Sequence, residues 1–128
     1  MLKQRIVALL CVQNGIVVQS IGFKKYLPVG RPEIAARALT EWGIDEIVLI
    51  DIGATREQRL IDIDLVKRVA DVCSVPLAAG GGLKRLQDVE EMFSSGADKV
   101  VLNSALRRGD KFIQTACDRY GSQSVVAS

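Results

Sequence analysis

Three consecutive glycines, Gly80, Gly81 and Gly82, follow a short apolar run and stand a few residues before a helical pattern. Glycines let the backbone come close to a ligand, and free amides beside a helix N-terminus present positive potential to a phosphate. A tight turn between a strand and a helix, with no ligand, explains the same three residues. The triplet by itself therefore leaves both interpretations open.

A second polar segment favours the phosphate interpretation. Asn103 and Ser104 come directly after the apolar run that ends at Leu102, and they offer an amide, a hydroxyl and free backbone N–H groups. If both runs are strands that end at the same edge of a sheet, their ends face one anion. We therefore predict a phosphate site, for inorganic phosphate or a phosphorylated small molecule, made of Gly80, Gly81, Gly82, Asn103 and Ser104.

Asp51 and Cys11 end two other apolar runs, which makes them candidate catalytic residues at the same edge. Asp51 is suited to hold a substrate hydroxyl or to transfer a proton, and equally suited to cap the loop that follows it. Cys11 is a candidate nucleophile, although a buried, inert thiol is the favoured interpretation because a thiol needs an activating neighbour.

The chain contains no histidine. Within this chain that excludes Ser-His and Cys-His catalytic pairs and histidine metal sites. The three cysteines, Cys11, Cys73 and Cys117, are widely spaced and form no CxxC pair, which is typical of reduced thiols in the cytoplasm. We expect neither a metal nor an organic cofactor.

Charged residues begin three of the apolar runs, namely Arg5, Glu46 and Lys99. If the runs are neighbouring parallel strands, these side chains lie within ion-pair distance at the edge opposite the glycines. They are then either the solvated ends of the strands or a ring of charge that gates a central passage.

Apolar runs alternate with helical patterns along the chain, the order that predicts a parallel sheet with right-handed crossovers. The loop at 24–30 is predicted to be basic and irregular, and 16–18 is predicted to pair back on the first strand. The predicted strands are Arg5–Val12, Glu46–Ile52, Val75–Ala79, Lys99–Leu102 and the start of a fifth at Ser124–Ala127. The predicted helices run from Pro32 to Gly43 and over 64–72, 86–93 and 112–120.

An internal repeat favours one class of parallel α/β fold over the others. Gly43–Leu49 matches Gly96–Leu102, two βα units later, as expected of a barrel built from duplicated pieces. We predict an α/β fold in one domain over 1–128: the parallel (β/α)4 half of a TIM (β/α)8 barrel, ending at the start of strand five. Such a half leaves open strand edges, so we expect either a fragment or self-association.

The composition suits a packed domain. The 128 residues are 48% hydrophobic and 25% charged. Seventeen Lys and Arg against fifteen Asp and Glu leave a net charge of +2, which argues against nucleic acid or a membrane surface as partner. No apolar run reaches the roughly 18 residues of a membrane span, and the first residues do not resemble a leader, so we expect a cytoplasmic protein.

The sequence resembles the HisF family, the cyclase (synthase) subunit of imidazole glycerol phosphate synthase, and matches its N-terminal half. The segments that carry the resemblance are Arg5-Ile6-Val7, Gly15-x-Val17-Val18, Phe23-Lys24, 45–52, Pro76-Leu77-x-x-Gly80-Gly81-Gly82, 96–100 and Asn103-Ser104-Ala105. The resemblance implies a barrel of two halves with a phosphate site in each half. In this half the site would fall on Gly82, Asn103 and Ser104.

The resemblance also implies a glutaminase partner that docks at the amino-terminal end of the barrel and sends ammonia through it. Arg5, Glu46 and Lys99 occupy three positions of the charged ring that gates this passage in the family. Asp98 matches a residue that faces the glutaminase.

Family members cyclise their substrate with two aspartates as general acid and base. Here one of these positions is Cys11, and the other would lie beyond Ser128. Gln19 and Ala78 also depart from the family pattern. These differences resemble HisF-like proteins of surface-polysaccharide clusters, which supply ammonia for amidation of a sugar nucleotide. Two further alternatives are a non-catalytic half-barrel module and half of a phosphosugar isomerase-like barrel.

Overall fold

The structure, a computed structural model, describes residues 5–21, 25–54, 56–102 and 111–127. In this part of the chain, seven strands form one sheet. The order across the sheet is β3-β2-β1-β4-β5-β6-β7. The strands are β1 (Val7–Gln13), β2 (Ile16–Ile21), β3 (Lys25–Gly30), β4 (Glu46–Asp51), β5 (Leu77–Gly80), β6 (Lys99–Leu102) and β7 (Val125–Ala127). The helices are α1 (Pro32–Glu41), α2 (Ile63–Val72), α3 (Leu86–Ser94) and α4 (Lys111–Tyr120), with a short 3₁₀ helix at Ser122–Ser124.

The strands β1, β4, β5, β6 and β7 are parallel neighbours in that order. Each crossover from one of them to the next contains an α-helix, and the helices contact one another in chain order. Alternate strand residues, such as Leu10, Val12, Ile47 and Leu49, are buried in one core together with residues of all four helices. The helices therefore form one layer on one face of the parallel strands.

The opposite face of these strands is apolar and partly open. Val7 is 52% exposed and Leu9 is 62% exposed, although both lie inside β1. Because successive strand residues point to opposite faces, Val7, Leu9 and Cys11 share the face that lacks the helix layer. We call this the inner face, because a (β/α)8 barrel encloses it. One covered face and one apolar open face confirm the predicted α/β half-barrel architecture.

Local capping explains where two of the helices begin. The carboxylate of Asp62 accepts the amide of Asp64 at 3.0 Å at the start of α2. Asp88, which is buried in the first turn of α3, accepts the amides of Lys84 and Arg85 at 2.9 and 3.1 Å. These contacts fix the loops that lead from the carboxyl ends of β4 and β5 into their helices.

The predicted elements are found with shifts of about two residues at their ends, except in the first loop. There the expectation of an irregular segment at 24–30 was wrong, because β3 begins at Lys25 and pairs antiparallel with β2. The strand contains Pro28, which suits its place, because β3 is the terminal strand of the sheet among the described residues and edge strands tolerate proline. Lys24 lies outside the described residues.

Candidate functional site

The carboxyl ends of four parallel strands meet at one edge of the sheet. Cys11 pairs with Ile50, Ile50 with Gly80, and Gly80 with Val101, so these residues form one row across β1, β4, β5 and β6. Asp51 and Gly81 follow that row directly. The structure thus brings together the predicted residues Cys11, Asp51 and the glycines.

Close packing requires the absence of side chains at the first two glycines. A Cβ at Gly80 would lie 2.5 Å from the carbonyl oxygen of Val101. At Gly81, which has a φ of +140°, a Cβ would lie 2.9 Å from the Cβ of Asp51. Both glycines therefore have a structural reason that is independent of any ligand.

Gly82 has a φ of +73°, in the left-handed region that glycine adopts at low cost. The position that its side chain would take is filled by the carbonyl oxygen of Arg59. Next to it, the amide of Ile61 donates to the carbonyl of Gly81 at 2.9 Å. The loop after β4 therefore packs directly on Gly81 and Gly82. We call these two glycines the glycine loop.

Asp51 is almost fully buried and engaged in the loop that follows β4. Its Oδ1 accepts the amide of Gly53 at 2.9 Å, and its Oδ2 accepts Nη1 of Arg59 at 2.7 Å. The structure thus realises the loop-capping interpretation of Asp51. A role in proton transfer would require release of this ion pair.

Arg59 was missed by sequence reasoning. Its guanidinium binds Asp51 and also pairs with Glu57, Nε donating to Oε2 at 2.8 Å. Its pKa is raised further above its usual range, chiefly by the hydrogen bond to Asp51. The sequence shows only an arginine in a loop that also holds another arginine and two acidic residues, which does not reveal the partner.

Cys11 lies on the inner face and is half-buried. Burial raises the pKa of its thiol above the usual value, so the thiol stays protonated near neutral pH. This environment supports the interpretation of an inert cysteine.

The amino-terminal edge of the sheet carries an ion pair between Lys99 and Glu46, with Nζ 3.2 Å from Oε1. These residues were expected on neighbouring strands, but β5 lies between β4 and β6. Lys99 pairs in register with Ala78 of β5. The Lys99–Glu46 ion pair therefore passes over β5 on the inner face, where the side chain of Ala78 is small. Two long side chains can span the two strand spacings, each about 4.8 Å. Arg5 lies two residues before Val7 and is exposed.

Asp98 is a strand clamp in this structure. Its carboxylate accepts the amide of Leu77 at 2.8 Å, and its own amide donates to the Leu77 carbonyl at 2.7 Å. Asp45 does the same with Ile6, at 2.8 and 2.9 Å. The sequence repeat contained both aspartates, but it did not indicate that each one ties its strand to the start of the preceding parallel strand.

Asn103 and Ser104 lie outside the described residues, so the described part of the predicted phosphate site consists of Gly80, Gly81 and Gly82. Within the ranges that the structure covers, three or more Cys, Asp or Glu side chains do not gather in a way that would hold a metal ion. Among the helices of those ranges, none is long and apolar enough to cross a membrane.

Comparison with known proteins assigns the family. Residues 5–128 match the model of the family described as "Histidine biosynthesis protein". The chain is 41% identical over 128 residues to imidazole glycerol phosphate synthase subunit HisF of Streptococcus mutans, covering all of this chain and 51% of the relative. It is 43% identical over 126 residues to the subunit of the same name from Thermococcus onnurineus, covering 98% of this chain and 50% of the relative.

The chain spans about half the length of the curated relatives that it matches. The resemblance to HisF that the motifs indicated is confirmed by these identities. With a family match over 5–128 and a one-sided parallel (β/α)4 sheet, the chain belongs to the histidine biosynthesis protein family.

Proposed function

We propose that this chain is a HisF-like synthase subunit of the imidazole glycerol phosphate synthase type, acting in the cytoplasm. In this proposal it binds a phosphorylated substrate or phosphate at the glycine loop, and it uses or channels ammonia that a glutaminase partner supplies. Asn103 and Ser104 complete the phosphate site. Arg5, Glu46 and Lys99 gate the entry of ammonia, and Asp98 faces the partner.

The observation that carries the proposal is the placement of two unlike features at opposite ends of one parallel sheet. The glycine loop lies at the carboxyl end, and the Lys99–Glu46 pair lies at the amino end. The apolar inner face, which includes Val7 and Leu9, runs between them. Ammonia is neutral and small, so an apolar passage with a charged entry suits its transfer from one end to the other.

The residues at the two ends of the sheet have different roles in this proposal. The amides of Gly81 and Gly82 would hold the phosphate, because oriented backbone N–H groups bind anions without a charged side chain. The Lys99–Glu46 pair crosses the inner face and has to separate for a molecule to enter. Cys11 holds its proton near neutral pH, so we assign it no proton transfer, and the cyclisation step is the part of the family activity that these residues support least.

Phosphate binding at the glycine loop is tested by NMR, in which the isotope-labelled chain is titrated with inorganic phosphate and the backbone amide signals are followed. We expect the signals of Gly81, Gly82, Asn103 and Ser104 to shift at millimolar phosphate. Signals of α1, such as that of Arg37, serve as the internal control and stay in place. Chloride at equal ionic strength separates anion binding from salt effects. A titration without shifts at the four residues would contradict the proposed site.

We also propose that the 128-residue chain on its own pairs with a second copy through its inner face and its open strand edges. Among the described residues, β2 pairs with β1 only at Val12 and Gln13, which leaves the edge of β1 from Val7 to Cys11 available. Two copies supply eight parallel strands if each β7, which is three residues long, yields its place to β1 of the other copy. Closure removes the edges and covers the apolar face.

A further inference from the structure

Arg59 connects the loop after β4 to two carboxylates at once. Its Nη1 lies 2.7 Å from Oδ2 of Asp51 and its Nη2 lies 3.5 Å from Oδ1, a forked arrangement on one carboxylate. On its other side it pairs with Glu57 at 2.6 Å. The Asp51 side chain is only 3% exposed, whereas that of Glu57 is 47% exposed. The contact with Asp51 is therefore the stronger one, because water screens the contact with Glu57.

The backbone of the same residue touches the glycine loop. The carbonyl oxygen of Arg59 fills the position of the missing Gly82 side chain. The amide of Arg59 donates to Ala54 at 2.9 Å, and the amide of Ile61 donates to Gly81 at 2.9 Å. The side-chain pair with Asp51 thus anchors a short backbone segment that reaches the glycine loop through one hydrogen bond, from Ile61 to Gly81, and through the Arg59 carbonyl at Gly82.

Asp51 also lies close to the glycine loop, since a Cβ at Gly81 would meet the Cβ and the carbonyl oxygen of Asp51 at 2.9 and 3.0 Å. Gly81 therefore lies against one partner of the ion pair and Gly82 against the backbone of the other. Glycine has more backbone freedom than any other residue. Without such contacts, the two amides would have to be ordered at the moment of binding, at a cost in affinity.

We propose that Arg59 is a positioning residue for the glycine loop: through its pair with Asp51 it fixes the conformation in which the Gly81 and Gly82 amides bind an anion. It does this without contacting the anion. This inference rests on the proposed phosphate site, and it adds a residue from a neighbouring loop to that site.

The test compares Arg59→Gln, Arg59→Lys and the control Glu57→Gln in the same phosphate titration. Arg59→Gln removes the charge and the fork on Asp51, and we expect phosphate affinity at Gly82 to fall about tenfold. Arg59→Lys keeps the charge but not the fork, so it restores part of the affinity. Glu57→Gln removes only the exposed partner of Arg59 and changes the affinity by less than about twofold.

A second measurement distinguishes positioning from a general loss of stability. Hydrogen exchange of the Ile61 amide reports its bond to Gly81, and exchange of the Val48 amide reports the sheet. We expect Arg59→Gln, and to a smaller extent Arg59→Lys, to accelerate exchange at Ile61 more than at Val48. If Arg59→Gln does not fold, the same comparison with Arg59→Lys decides the question.

The outcomes separate the two proposals. If the unaltered chain shows no phosphate-dependent shift at Gly82, the proposed phosphate site is wrong. If the unaltered chain binds and both Arg59 variants bind equally well, the site stands and the positioning role is overturned. Equal acceleration at Ile61 and Val48 would also overturn it, because the effect would then be one of global stability.

Discussion

At the scale of single residues, close packing accounts for all three glycines of the triplet. Gly80 and Gly81 leave space for Val101 and Asp51, and Gly82 leaves space for the carbonyl of Arg59. These contacts come from strands or loops that are far apart in the chain. A glycine triplet after a strand therefore has a structural role here whether or not it also binds an anion.

Gly82→Ala is the most informative single change at this scale. The added methyl group would clash with the Arg59 carbonyl, and alanine at a φ of +73° is strained. We expect a loss of unfolding free energy of about 2 kcal/mol or more, measured by urea denaturation. Arg56→Ala is the control, because Arg56 is an exposed residue of the loop after β4. It should change the unfolding free energy by about 0.5 kcal/mol or less. Full stability of Gly82→Ala would show that the loop after β4 moves freely away from the glycines.

At the scale of elements, the two halves of the internal repeat are alike in their tertiary contacts. Asp45 and Asp98 each precede a parallel strand, and each accepts and donates one hydrogen bond at the start of the preceding parallel strand. A short carboxylate at this position sets the register of two strands. The same device therefore appears in β4 and β6, two βα units apart.

Asp45→Asn and Asp98→Asn form a matched pair of variants. Each replaces a charge-assisted hydrogen bond with a neutral one, so we expect each to lower the unfolding free energy by about 1 kcal/mol. Only Asp98 is proposed to face the glutaminase. Binding of a glutaminase subunit from an imidazole glycerol phosphate synthase, measured by calorimetry, should weaken with Asp98→Asn and remain with Asp45→Asn. Equal binding by both variants would restrict Asp98 to its role as a strand clamp.

At the scale of the whole molecule, the helix layer covers one face of the parallel strands and leaves the other apolar. Val7 and Leu9 are more than half exposed, and Val126 is 38% exposed on β7. Large apolar side chains in the middle of a sheet are usually covered in the working assembly. This face is what the proposed pairing of two copies would bury.

Leu9→Lys tests that pairing. Leu9 is 62% exposed, so a lysine there is tolerated in a single copy, but its charge would have no partner inside a closed barrel. In analytical ultracentrifugation we expect the unaltered chain to form dimers and Leu9→Lys to be monomeric. Ile34→Lys is the control, because Ile34 is 63% exposed on α1 rather than on the sheet, and it should remain dimeric. A monomeric unaltered chain at tens of micromolar, or a dimeric Leu9→Lys, would contradict the proposal.

The sequence alone determined the alternation of strands and helices, the parallel order and the family. Apolar runs, helix-stop glycines and the repeat are local signals that predict the strands and helices, and the family followed from the resemblance of motifs such as 45–52 and Pro76–Gly82. The hairpin partner β3 escaped prediction, since Pro28 and the lysines are typical of a loop and only pairing with β2 made the segment a strand.

The tertiary structure decided which charged groups meet. The pairs Asp51–Arg59 and Glu46–Lys99, and the clamps at Asp45 and Asp98, join residues whose types are visible in the sequence but whose partners are not. A charge carries no sequence signal for its partner, because the distance between them depends on loop paths and on strands that lie between. That is why the glycines were found from the sequence, and the arginine that packs against them was not.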